Sequence, residues 1–68
     1  MILQVIDTTD NQWLGLTRPV PDPWLLQGQH IQVEADIWFR IDKAEDLGAG
    51  IWRFSNPGYV VRAQEVGA

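Results

Sequence analysis

The chain has 68 residues, room for one domain at most, and a domain of that size buries only about 60% of the surface its unfolded chain exposes. It has no cysteine and a single histidine, His30, so disulfides, thiolate metal sites and an ordinary zinc site are excluded as sources of added stability. Nine acidic against five basic residues, a formal charge of −4, argue against general nucleic-acid binding, while 46% hydrophobic content indicates a folded globular chain.

In chain order, Ile2 to Asp7 is a short apolar run that reads as a strand. Asp7-Thr8-Thr9-Asp10-Asn11 is turn chemistry, because Asp and Asn side chains bond nearby backbone and tolerate left-handed geometry. Trp13 to Arg18 follows, alternating Leu14 and Leu16 with Gly15 and Thr17, and a hairpin between the two runs is expected. Pro19, Pro21 and Pro23 stand at alternate positions, which fixes an extended loop or an edge. Trp24-Leu25-Leu26 reads as a short helical turn or an apolar plug over one end of the core.

From Gln29 to Ile41 the alternation is clean. Ile31, Val33, Ala35, Ile37, Phe39 and Ile41 share one parity and are expected inward; His30, Gln32, Glu34, Asp36, Trp38 and Arg40 share the other. The stretch is one bent strand or two joined near Ala35-Asp36. Asp42 to Gly50 reads as a polar connection with room for one helical turn. Ile51 to Ser55 is a strand, Asn56-Pro57-Gly58 fits a type II turn, and Tyr59 to Glu65 closes the chain as a last strand.

These elements predict a single all-β domain over residues 1–68, built as a small barrel or curled antiparallel sheet of about five strands. The early hairpin, the long proline loop and Leu26-Gln27-Gly28-Gln29-His30-Ile31-Gln32-Val33 resemble an SH3-like small barrel, with an OB-like barrel as the second reading. That resemblance implies a fold and no particular activity.

Few residues suit catalysis. Ser55 is the single serine, no nucleophile-elbow sequence surrounds it, and no glycine-rich phosphate loop is present. The acidic sets Asp42, Glu45, Asp46 and Asp7, Asp10 lack calcium-loop spacing and read as solvated turn residues. No enzyme activity, cofactor or metal is therefore expected. No apolar run approaches the roughly 20 residues that span a bilayer, and Met1-ILQVID lacks the build of a signal peptide; the location is left open between the cytoplasm and a virus particle.

Strand parity suggests a surface instead. With Phe39, Trp52 and Phe54 inward, pairing Phe39 with Trp52 sets Trp38 opposite Arg53, where a cation–π contact would form. Pairing Phe54 with Tyr59 sets Val60 opposite Arg53 and Arg62 opposite Ile51. The predicted partner-binding strip is thus Trp38, Arg40, Ile51, Arg53, Val60 and Arg62, unless Trp38 packs beneath Trp24-Leu25-Leu26. Trp13, Pro19, Pro21, Pro23 and Trp24 form a secondary candidate surface, the prolines as a polyproline II segment. The expected role is a non-enzymatic protein–protein interaction or assembly module that docks on another protein or self-associates into a homo-oligomer. By analogy with other compact barrels it would serve as a structural or accessory part of a virus particle. The alternative is a nucleic-acid-binding barrel using the same aromatic and arginine strip.

Overall fold

The first hairpin forms where alternation and turn chemistry place it: β1 (Leu3–Asp7) pairs antiparallel with β2 (Trp13–Leu16). Its turn is held by side chains, with Thr9 N donating to Asp7 Oδ1 at 2.8 Å and Gln12 N to Asp10 Oδ1 at 3.0 Å. Asn11 takes a positive φ of 57°, a conformation Asn tolerates. The computed structural model describes residues 1–34 and 36–66, so the expected inward placement of Ala35 lies outside the described residues.

The proline segment runs as a strap. Val20 is buried and donates its N–H to the Met1 carbonyl at 2.8 Å, and Pro23 is buried at the start of a 3₁₀ turn (Pro23–Leu26). Asp22 caps that turn, its carboxylate accepting from Trp24 N at 3.0 Å. Leu26 enters the core, while Trp24 lies edge-on against Trp52 with ring centroids 5.3 Å apart.

The long alternating stretch resolves into two strands, β3 (His30–Glu34) and β4 (Ile37–Arg40), paired antiparallel as a separate two-stranded sheet. Ile31, Val33, Phe39 and Ile41 are buried, and His30, Gln32, Trp38 and Arg40 are exposed, as the parity predicts. Ile37 departs from it. It sits beside the hairpin tip, where the register shifts between Gln32 and Glu34, and is exposed.

Residues 42–50 correct the expectation of a polar connection with a helical turn. They contain β5 (Lys43–Gly48), paired antiparallel with β6 (Ile51–Asn56), and β7 (Tyr59–Glu65) follows. Ala44 is the one residue of β5 that enters the core, so no apolar alternation marks the strand. It exists because β6 offers a backbone ladder and because Ala49 and Gly50, at φ 55° and 75°, make a two-residue hairpin turn. Pro57 and Gly58, with φ 93° at Gly58, form the expected tight turn between β6 and β7.

Among the described residues the result is all-β, with seven strands in place of about five: a five-stranded antiparallel sheet in the order β2-β1-β7-β6-β5 and the β3-β4 hairpin. Among the described residues no ladder joins the two sheets into a closed ring. One hydrophobic core lies between them, contributed by Leu3, Val5, Leu14, Val20, Leu26, Ile31, Val33, Phe39, Ile41, Ala44, Trp52, Phe54, Val61 and Ala63. Close approach at the seam falls at Gly15, whose φ is 150° and where a Cβ would stand 3.0 Å from the Val33 carbonyl oxygen. β2 is irregular around this glycine and opposite a register shift at Val5/Ile6, so Leu14 turns inward while Leu16 is exposed, against the expected common face. Thr17 is buried instead, exchanging its N–H and hydroxyl oxygen with the backbone of Leu3.

Candidate interaction surface around Trp38

Phe39 packs into the core, with its ring 5.5 Å from Tyr59, and this forces its neighbour Trp38 outward. Trp38 is 61% exposed and faces Gln32 across the β3-β4 hairpin. The alternative placement beneath Trp24-Leu25-Leu26 is corrected: the aromatic partner of Trp24 is Trp52.

Two depressions meet at this indole. One, about 160 Å³, is lined by Leu16, Thr17, Arg18, His30, Gln32 and Trp38 at the seam between β2 and β3. The other, about 260 Å³, runs from Ile37 and Trp38 to Asn56 and Tyr59, where β4 faces the β6-β7 turn without a ladder between them. Both are smaller than the roughly 300–1,000 Å³ of small-molecule sites.

The predicted strip is divided between the two sheets. Ile51, Arg53, Val60 and Arg62 do share the outer face of β6 and β7, but the register between those strands is two residues away from the expected one. Phe54 faces Val61, Trp52 faces Ala63, and Tyr59 faces Asn56, because the turn holds two residues rather than four. A shift of two keeps every side chain on its expected face. The pairing of Phe39 with Trp52 is corrected outright: β4 pairs with β3, and β6 pairs with β5 and β7, so Trp38 does not stand opposite Arg53.

Arg53 lies instead between Arg62 and Glu45, a like charge on one side and a carboxylate on the other. Its guanidinium reaches Glu45 at 2.6 Å, and Lys43 reaches the same carboxylate at 3.2 Å. Hydrogen bonding from Arg53 first, then from Lys43, holds the Glu45 carboxyl below its usual range. Arg40 makes a two-point contact with Asp42 at 2.8 and 3.1 Å. Arg62 has its Nε buried without a hydrogen-bond partner. Three of the five basic residues are thus engaged by carboxylates, and among the described residues Arg18 has no ion pair.

The other candidate carboxylates are also occupied locally: Asp7 accepts from Thr9 N and from the Tyr59 hydroxyl, and Asp46 accepts from Gly48 N. Of the secondary candidates, Trp13 and Trp24 are exposed, as are Pro19 and Pro21, but Pro23 is committed to the core side of the strap. Sequence reasoning missed Leu16, Arg18 and Gln32 as neighbours of Trp38. Gln32 faces Trp38 through the β3-β4 ladder, whereas Leu16 and Arg18 reach it only through the β2-β3 seam, which joins strands of different sheets and has no periodicity to announce it. The one signal was Gly15, a glycine inside a strand pattern that marks close backbone approach.

Compared with known proteins, the chain matches no family model, no curated protein and no solved structure.

Proposed function

We propose that this protein is a non-enzymatic interaction or assembly module that docks another protein, or a further copy of itself, on the surface around Trp38. The observation that carries this reading is the exposure of Trp38 between two depressions with apolar walls. A chain this short has little core to spare, and a large aromatic held outside by its strand register costs hydrophobic burial that a partner restores. Interface centres draw on tryptophan and arginine in the same way.

We read the architecture as an SH3-like small barrel left open between its two sheets; two sheets packed on one core support that reading. A setting that suits such a module is a multi-protein assembly, a virus particle among them, and a run of capsid or tail genes beside its own gene is the observation that checks this. The nucleic-acid reading has less support, because Arg40 and Arg53 already hold carboxylates.

Sedimentation equilibrium and affinity capture, run on the wild type and on Trp38→Ala, test the proposal. Association, with itself or a captured partner, is expected for the wild type and lost in the variant. A strictly monomeric protein whose captured partners are unchanged by the substitution overturns it.

A further inference from the structure

We infer that the depression between Leu16 and Trp38 takes a peptide segment of a partner protein presenting one carboxylate beside an aliphatic side chain, with Arg18 as the counter-ion; the inference rests on the reading of this surface as a docking site.

Charge complementarity is the first argument. The molecule carries −4 overall, yet among the described residues the titratable side chains lining this depression are Arg18 and His30. Arg40, across the hairpin from His30, is neutralised by Asp42 and adds no free charge. Arg18 is exposed and has no ion pair among the described residues, so its planar donor fork is open to a carboxylate.

Preorganisation is the second. The backbone on either side of Arg18 is pinned to β1 and its leading residues: Thr17 N donates to the Leu3 carbonyl and Val20 N to the Met1 carbonyl, both at 2.8 Å. A docking residue held this way loses little backbone freedom on binding.

Size and count decide the class of ligand. About 160 Å³, walled by Leu16 at 54% exposure and Trp38 at 61%, fits an aliphatic side chain. One open guanidinium matches one carboxylate, whereas a nucleic acid needs several phosphates neutralised together. The observations therefore favour an acidic and apolar peptide.

The test is a titration of isotope-labelled protein with acetyl-Ala-Leu-Asp-Ala-amide and with its neutral isostere acetyl-Ala-Leu-Asn-Ala-amide, read from NMR shifts. Saturable shifts at Arg18, His30 and the Trp38 indole are expected with the Asp peptide. The Asn peptide should bind about tenfold more weakly, the size of one charge-assisted contact. Arg18→Gln, a change at an exposed side chain, should erase that difference and keep the fold. Equal binding of the two peptides, abolished by Trp38→Ala, overturns the carboxylate assignment and leaves the docking surface standing. No shift at these residues with either peptide at millimolar concentration overturns the inference. Tighter binding of a short oligothymidylate than of the Asp peptide assigns the site to nucleic acid and overturns it as well.

Discussion

Tyr59 does two jobs with one side chain. Its ring packs against Phe39, and its hydroxyl donates to Asp7 Oδ2 at 2.7 Å, tying the start of β7 to the end of β1. That bond, with a smaller contribution from Thr9 N, lowers the Asp7 pKa below its ordinary 3.8. A carboxyl whose folded pKa is lowered adds stability above its unfolded pKa and loses it as pH falls through the folded pKa. In Tyr59→Phe, Asp7 should therefore titrate at higher pH, and the acid-side loss of stability assigned to it should shrink. An NMR titration of the Asp7 carboxyl carbon measures this directly, and an unchanged midpoint contradicts it. At this scale much was legible: Asp7, Asp10 and Asn11 read as turn residues, and Trp38 read as outward. The Tyr59–Asp7 contact was not, because 52 residues separate the partners and only the β1-β7 ladder brings them together.

Among the elements, the seam between β2 and β3 is the most sensitive to a single methyl group. A Cβ at Gly15 would meet the Val33 carbonyl at 3.0 Å, and the obstacle is backbone, which cannot rotate away. The φ of 150° there also suits glycine alone. Gly15→Ala should cost about 1–3 kcal/mol through strain and a displaced seam, measured by urea denaturation. A loss below roughly 0.5 kcal/mol, the range of ordinary surface changes, would show that the strands yield freely. Because Leu16 adjoins that glycine and Arg18 lies three residues beyond it, the same variant should disturb the depression beside Trp38. The hairpins β1-β2 and β6-β7 were readable from Asp, Asn, Pro and Gly at their turns. β5 was not, since Lys43, Glu45 and Asp46 form its strand through the β6 ladder and carry no apolar rhythm.

For the molecule as a whole, the core is small and shared. Phe54 is fully buried between two sheets that have no continuous ladder linking them. At roughly 0.05–0.15 kcal/mol per residue, a chain of this length has about 3–10 kcal/mol of stability in all. Phe54→Ala should remove about 3–5 kcal/mol of it. The expected outcome is a protein largely unfolded at body temperature, or one whose Tm falls by at least about 12 °C, followed by circular dichroism. A transition within a few degrees of the wild type would mean that the sheets hold together without this ring.

What the amino-acid sequence determined by itself was the all-β character, the turns of the β1-β2 and β6-β7 hairpins and the face of most residues in the alternating strands. Side-chain direction in a strand follows from a period of two, and turn geometry follows from the backbone preferences of a few residues; both are local. The tertiary structure alone decided which strands are neighbours. It placed β4 beside β3 rather than β6, shifted β7 by two residues along β6, and built β5 from a polar stretch. Those choices depend on ladder bonds and core volume summed over the whole chain, which no window of sequence contains. They divided the predicted strip of Trp38, Arg40, Ile51, Arg53, Val60 and Arg62, and they brought Arg18, His30 and Leu16 to Trp38 in its place.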